Sequence, residues 1–408
     1  MICGLLGEKL GHSYSPQIHN CLGTYSYNLF EVAPGELEAF LKGDSFHGLN
    51  VTIPYKKAVI PYCSELSPQA KMLGAVNTIV RRSDGTLIGH NTDYFGFRSM
   101  ATRAGISYAG KKVLVLGSGG ASNTVCAVMK ELGAQVVVIS RHGQNNYDNL
   151  HIHADCSVIV NATPVGMYPN TGISPVSLDL FPRLEYVMDL IYNPRKTQLL
   201  LDAQARGIPT QNGLWMLVAQ AAESAQWFTG NPMDPSSIAA IYQKLNGQMR
   251  NIILIGMPGC GKSTIGQILA SKLNKSSVDS DIEVEFASGC SIPEIFQNYG
   301  EEEFRMRETA ALSKLCKQSS RVIATGGGCV TRKANLPILR QNGIIVWIRR
   351  SVSALSTEGR PLSQNGSLER MYQVREPLYR SFADIIVDND STPEETASQV
   401  MKQLEDIE

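Results

Sequence analysis

The run Gly256-Met-Pro-Gly259-Cys-Gly261-Lys262-Ser263-Thr264 has the residue types and spacing that hold a phosphate. Its glycines let the backbone curl until several N–H groups converge on one anion, and the positive end of a following helix adds to the attraction. Lys262 can then reach the β- and γ-phosphates while the Ser263 hydroxyl holds Mg2+, which points to ATP or a related triphosphate. A second glycine turn, Gly117-Ser-Gly119-Gly120-Ala121, suits a dinucleotide pyrophosphate. There Gly117 allows the tight turn and Gly119 the close approach, although Ser122 stands where a third glycine is usual. The next strand ends in Ser140-Arg141, where a free ribose 2′-OH would call for an acid. A guanidinium suits a 2′-phosphate, so the reading is NADP(H) rather than NAD; a solvated Arg141 is the plain alternative.

Polar residues also gather at strand ends within the first hundred positions. Ser13 and Ser15 alternate across an extended segment and can donate to one carboxylate, although Ser before Pro16 is also ordinary helix-entry chemistry. Lys56 follows Asn50-Val-Thr52-Ile-Pro54, and Asp93 follows Asn91-Thr92. Two such strand ends can build a small-ligand site with a proton-handling pair, though each residue alone is common on surfaces.

The elements that must position these residues are alternating strands and helices. Ile252–Ile255 is an apolar run before the phosphate loop, and Ile265–Leu273 has helical spacing after it. Lys111–Leu116, a helix from Ser122 to Leu132, and Gln135–Ile139 form a Rossmann-type βαβ unit. Two more buried strands end in turns at Asn161-Ala-Thr163-Pro164-Val-Gly166-Met167 and at Tyr192-Asn193-Pro194. Gly213 opens a long apolar helix carrying Met216 and Gln220, and Gln220 suits either a ligand bond or a satisfied core amide.

Lys+Arg and Asp+Glu are equal at 37 over 408 residues, so no nucleic acid and no membrane partner is implied by charge. Nine cysteines without a C-x-x-C fit no disulfide framework, and no 18-residue apolar run exists, which together suggest a cytoplasmic protein. His151-Ile-His153 lacks a third ligand nearby and is read as a solvated turn rather than a metal site.

Residues 1–245 resemble shikimate dehydrogenase. The motifs are His12-Ser13-x-Ser15-Pro16-x-x-His19-Asn20, Asn50–Lys56, Ala75–Thr78, Asn91–Asp93, Gly117–Ala121, Asn161–Met167 and Asn212–Ala221, in family order. The resemblance implies that Ser13, Ser15, Thr52, Asn77, Tyr192 and Gln220 hold the substrate's carboxylate and hydroxyls. It implies that Lys56 and Asp93 flank the reduced carbonyl. NADP would lie along Gly117, Gly119, Gly120, Ala121, Ser140, Arg141, Thr163, Gly213 and Met216. The expected architecture is an α/β substrate domain at 1–100, completed by helices at 214–245, with a Rossmann NADP domain at 101–213 between. The stretch from His142 to His153 looks short and loop-like where that family often has another helix.

Residues 251–408 resemble shikimate kinase through the phosphate loop, Asp279-Ser-Asp281, Gly300–Arg305, Ala324–Gly328, Arg360-Pro-Leu362 and Arg375–Tyr379. A P-loop domain with a parallel sheet is expected at 246–408. The resemblance places Asp279 with Ser263 in the Mg2+ shell and makes Asp281 the base on the accepting hydroxyl, beside the catalytic Lys262. Arg305 and Arg375 would grip the shikimate carboxylate, the Gly327 and Gly328 backbone would close on the ring, and Arg360 would face the transferred phosphoryl. Asp281 also suits a helix N-cap, and the lid segment Ser351–Gly359 is short.

Together the resemblances imply a bifunctional α/β enzyme. It would reduce 3-dehydroshikimate with NADPH and then phosphorylate shikimate with ATP at the same ring oxygen. A regulatory protein that keeps the ligand sites without catalysis is the alternative from another class, and a dehydrogenase that also takes quinate or NAD is a milder one. The sequence leaves room for a homo-oligomer.

Overall fold

Parallel strands covered on both faces read as unbroken apolar runs, and the runs before both glycine turns are strands of this kind. The computed structural model describes residues 1–11, 13–355 and 368–406. Its first elements are β1 (Ile2–Gly7), α1 (Ser15–Leu22), β2 (Ser26–Glu31), α2 (Leu37–Lys42) and β3 (Gly48–Val51). They continue with β4 (Glu65–Leu66), α3 (Pro68–Leu73), β5 (Thr78–Arg81), β6 (Leu87–His90) and α4 (Asp93–Arg103). The strands form one sheet in the order β2-β1-β3-β5-β6-β4. β1 and β3 run parallel, while β5 is antiparallel to both β3 and β6. Asn50 therefore pairs with Thr78, and Thr78 with His90. This register brings the residues after β1, β3 and β6, and those before β5, to one edge of the sheet.

The second series is β7 (Lys112–Leu116), α5 (Gly120–Glu131), β8 (Gln135–Ile139), β9 (Val158–Asn161), β10 (Tyr186–Asp189), α6 (Gln198–Ala205) and β11 (Thr210–Gln211). The helices α7 (Leu214–Thr229) and α8 (Pro235–Met249) follow. The sheet is parallel in the order β11-β10-β9-β7-β8. The chain leaves β7 for a neighbour on one side and returns to the other, so a switch point opens at the end of β7. Helix α5 starts at Gly120, two residues before the expected Ser122, because Gly119 is its N-cap. The stretch expected to be loop holds a 3-10 helix, Tyr147–His153, opened by a capping box at Asn146. His153 is buried, with Nε2 3.1 Å from Asn145 Oδ1, rather than solvated.

The third series opens with β12 (Asn251–Ile255), α9 (Lys262–Leu273), β13 (Ser276–Asp279), α10 (Ser280–Ser288) and α11 (Ile292–Cys316). It closes with β14 (Arg321–Ala324), α12 (Asn335–Arg340), β15 (Gly343–Arg349), α13 (Leu368–Phe382), β16 (Ile385–Asp388) and α14 (Pro393–Glu405). Its parallel sheet has the order β13-β14-β12-β15-β16 and again switches direction at the strand before the glycine turn. Met1–Val165, Pro175–Tyr192 and Asp202–Lys244 form one compact unit with the first two sheets. Gly166–Ser174, Asn193–Leu201 and Leu245–Glu408 form a second with the third sheet. Among the described residues no helix is long and apolar enough to cross a membrane.

Candidate active sites

The shared edge of the first sheet collects the expected polar residues. Lys56 Nζ lies 2.6 Å from Asp93 Oδ2, with side chains 34% and 20% exposed. Lys56 is fixed through its backbone, since its carbonyl accepts the Val76 N–H at 2.7 Å and neighbouring Tyr55 donates its hydroxyl to Val32 O at 2.5 Å. Asp93 is the first residue of α4, where helix N–H dipoles favour a carboxylate. An ammonium held this way can stabilise a developing alkoxide and give it a proton.

Gly96 lets α7 come against α4, because a Cβ there would lie 2.7 Å from Met216 O and 2.9 Å from Gln220 Cβ. The approach brings Gln220 Oε1 to 3.4 Å from Thr92 Oγ1, while Gln220 Nε2 donates to Leu217 O at 2.9 Å. Asn77 Oδ1 accepts the Thr92 N–H at 2.7 Å, so Asn77, Gln220 and the residue before Asp93 are joined. Ser13 Oγ accepts the Ser15 N–H at 3.2 Å, Ser15 is the first residue of α1, and the Ser15 hydroxyl bonds the Tyr27 phenol. Thr52 follows β3 and is half-buried, and half-buried Tyr192 meets the Tyr14 ring edge-on at 6.1 Å. Burial, then Tyr14, raises the Tyr192 phenol above its ordinary range.

The expected cofactor residues gather at the ends of β7, β9 and β10. Gly117 has φ +103°, and a Cβ on it would be 2.9 Å from Thr163 Cγ2, so only glycine lets these two strand ends meet. Thr163 is held by Asn161 Oδ1, which accepts its N–H at 3.0 Å and its hydroxyl at 2.6 Å. A side chain on Gly213, at the start of the helix carrying Met216, would collide with Leu190 O. A Cβ on Gly119 or Gly120 would meet open space, and α5 has no side-chain cap, so its first N–H groups before Ala121 are available to an anion. The Ser140 N–H bonds to Asn145 O at 3.2 Å, closing a small loop that carries exposed Arg141.

In the second unit a cavity of about 530 Å³ opens over the phosphate loop. Gly256, Gly259 and Gly261 take φ of +146°, +82° and +96°, which curl the loop, and Thr264 lies in the first turn of α9. Lys262 is buried with Nζ donating to Gly256 O at 3.0 Å and Met257 O at 2.9 Å. Ser263 Oγ donates to Asp279 Oδ2 at 2.8 Å, and this pair of hard oxygen donors suits Mg2+. Asp279 Oδ1 accepts the Asp281 N–H at 3.0 Å, so Asp279, not Asp281, is the N-cap of α10. Asp281 is left to the cavity, with Oδ1 enclosed and unpaired among the described residues. Burial first, then Asp279 and Glu308, push its carboxyl up to about 6 against the pull of Lys262 and Arg305.

Arg305 donates to buried Glu308 at 2.9 Å and to Glu301 at 3.2 Å. Among the described residues Glu308 Oε1 is unpaired, and burial holds its carboxyl above the ordinary range. A Cβ on Gly326 would lie 2.5 Å from Glu308 Oε1 and 2.7 Å from Asp281 Oδ1, so the glycine is what admits both oxygens. A side chain on Gly328 would collide with the Arg305 guanidinium, and one on Gly327 would be 2.6 Å from Pro258. Arg375 Nη1 and the Tyr379 hydroxyl both donate to Gly327 O. Arg360 and its Arg-Pro-Leu motif lie outside the described residues.

Several residues here carry no sequence expectation. Glu308 is three positions after Arg305 on α11, a spacing that already signals an ion pair. Asn389 holds the phosphate loop by donating to Cys260 O at 2.8 Å, and nothing in the local sequence announces it. Thr78, Thr92, Ser224 and Asn50 form a buried network behind Asn77.

Comparison with known proteins agrees with both halves. The family model for the shikimate dehydrogenase substrate binding domain matches residues 5–79, and that for shikimate kinase matches 258–405. The shikimate dehydrogenase (NADP(+)) of Clostridium perfringens strain 13 is 36% identical over 264 residues, covering 59% of this chain and 97% of the relative. Shikimate dehydrogenase 1 from Peptoclostridium difficile is 40% identical with TM-score 0.55, covering 60% of this chain and 97% of that one. The Thermus thermophilus enzyme, solved with NADP(H) and shikimate, is 32% identical with TM-score 0.55 over 60% of this chain and 99% of its own. This chain thus belongs to the shikimate dehydrogenase family and carries, after that part, a shikimate kinase domain.

Proposed function

We propose that the chain reduces 3-dehydroshikimate to shikimate with NADPH and then phosphorylates shikimate to shikimate 3-phosphate with ATP. The observation that carries this reading is a proton-handling group at each glycine-turn unit: Lys56 paired to Asp93 in one, and Asp281 poised above the phosphate loop in the other. NADPH, when bound, supplies the hydride. Its pyrophosphate is read at Gly117, Gly119, Gly120 and Ala121, its 2′-phosphate at Ser140 and Arg141, and its nicotinamide side near Thr163, Gly213 and Met216. Ser13, Ser15, Thr52, Asn77, Tyr192 and Gln220 hold the ring substrate. Lys56 gives a proton to the alkoxide oxygen, and Asp93 keeps the ammonium oriented.

In the kinase, Ser263 and Asp279 would hold Mg2+, which would supply charge neutralisation at the phosphates. Asp281 accepts the proton of the attacking hydroxyl, Lys262 stabilises the phosphates, and Arg305 and Arg375 hold the substrate carboxylate against the Gly327-Gly328 backbone. Arg360 would complete the clamp. We read residues 1–100 with 214–245 as the substrate domain, 101–213 as the NADP domain and 246–408 as the kinase domain. Nine unbridged cysteines favour the cytoplasm, and homo-oligomers are compatible with this reading.

The test is purified chain with 3-dehydroshikimate and NADPH, following cofactor oxidation, then MgATP with products identified by mass. Oxidation followed by ATP-dependent shikimate 3-phosphate supports the reading. Binding of either ring compound without turnover would turn it toward a regulatory protein.

A further inference from the structure

Among the described residues the Asn77 amide is bonded on one side only. The Thr92 backbone N–H can only donate, so the atom it meets at 2.7 Å identifies Oδ1 and fixes which way the amide points. The same oxygen lies 3.3 Å from Thr92 Oγ1 and 3.2 Å from Thr78 Oγ1. Among the described residues, every bond to this side chain ends on its oxygen.

The protons behind it follow a direction. Tyr27 donates its hydroxyl to Asn50 Oδ1 at 2.8 Å, so Asn50 Nδ2 is the donor to Thr78 Oγ1 at 3.2 Å and Ser224 Oγ at 2.7 Å. Ser224 in turn gives its single proton to Gln220 O at 2.9 Å. Ser224 Oγ also lies 3.0 Å from both Thr78 Oγ1 and Thr92 Oγ1. With Asn50 Nδ2 on one of its two lone pairs, it can accept from only one of these threonines, which leaves the other free to donate to Asn77 Oδ1. Asn50, Asn77, Thr78, Thr92 and Ser224 are all buried, where a turned amide would leave several groups unpaired.

We propose that Thr78, Thr92 and Ser224 are positioning residues that hold Asn77 as an obligate donor, so that its Nδ2 meets an oxygen of the ring substrate. This rests on the reading of Asn77 as a substrate residue. The site then favours a ring carrying a hydroxyl, keto or carboxylate oxygen at that position and disfavours one carrying an amine.

The test uses the full chain and measures shikimate oxidation by NADP+ in Asn77→Ala, Thr78→Val, Thr78→Ser and the Asn77→Ala/Thr78→Val double variant. Asn77→Ala should raise the shikimate KM about tenfold, and Thr78→Val about three- to tenfold with kcat and the NADP+ KM within about twofold. Thr78→Ser should restore the KM, and in the Asn77→Ala background Thr78→Val should add less than about twofold. An undiminished Thr78→Val effect in that background, or none in the native one, overturns the positioning role. An unchanged KM in Asn77→Ala instead removes Asn77 from the substrate site, and the proposal with it. Should Thr78→Val not fold, Ser224→Ala with and without Asn77→Ala decides the matter on the same criterion, a KM rise that disappears when Asn77 is absent.

Discussion

Lys56 and Asp93 face each other one to one, whereas Asp279, Asp281 and Glu308 crowd around Lys262 and Arg305. The first pair is partly open to solvent, and its charges balance before any ligand arrives. The second cluster is enclosed and, among the described residues, keeps carboxylate oxygens on Asp281 and Glu308 without partners. The difference fits the chemistry proposed for each. A hydride acceptor needs an acid already oriented, and a neutral hydroxyl network behind Asn77 can do the remaining placement. A hydroxyl that must attack phosphorus needs a base whose proton affinity has been raised, and burial beside other carboxylates is how a protein raises it.

The sharpest way to break this contrast is to remove each centre separately. Asp281→Asn should lower kinase kcat by about 10²- to 10⁴-fold and leave dehydrogenase turnover unchanged. Lys56→Ala should lower dehydrogenase kcat over a similar range of about 10²–10⁴ with little change in KM, and spare the kinase. Parallel assays of both reactions on each variant check this. A Lys56→Ala loss confined to KM would mean that the lysine binds rather than protonates.

A smaller effect concerns pH. In its proposed role Asp281 acts as a base only when ionised, and its carboxyl is pushed up to about 6. Kinase kcat/KM should therefore fall about tenfold per pH unit below that midpoint. A limb at the same pH in the dehydrogenase profile of the same chain would erase the contrast. Glu308→Gln removes one of the carboxylates that raise Asp281, so the limb should move to lower pH. It should also raise the shikimate KM several-fold, since Arg305 loses its buried partner.

What the sequence made legible was what short stretches dictate. Gly117, Gly256, Gly259 and Gly261 all take positive φ at turns read from spacing alone. Lys56 and Asp93 could be suspected as strand-end residues, but their contact depends on β5 running antiparallel between β3 and β6. The buried network needs residues 50, 78, 92 and 224 in one place, which only the packing of α7 on α4 at Gly96 provides. Asn389 reaches the phosphate loop from 129 positions away. Asp281 suits a cap by sequence because both aspartates precede a helix, and only the bond from its own N–H to Asp279 separates their roles.

The smallest predicted effect tests the origin of Asp281's proton affinity without any assay of turnover. The carboxyl has an ordinary value of 3.8 and is raised to about 6 in the fold, so the folded state binds this proton more tightly than the unfolded one. Ionisation therefore costs stability in full above pH 6, less as pH falls toward 4, and nothing once both states are protonated. Asp281→Asn, neutral at every pH, should stabilise the kinase unit at pH 7 by on the order of 2 kcal/mol, seen as a Tm several degrees higher in calorimetry. The gain should vanish near pH 4. The opposite outcome, a Tm that falls at pH 7, would mean that Lys262 and Arg305 outweigh burial and that the carboxylate is held by its cations. Lys56→Met supplies the control on the other side of the comparison. It strips Asp93 of its paired ammonium, so it should bring no gain at any pH.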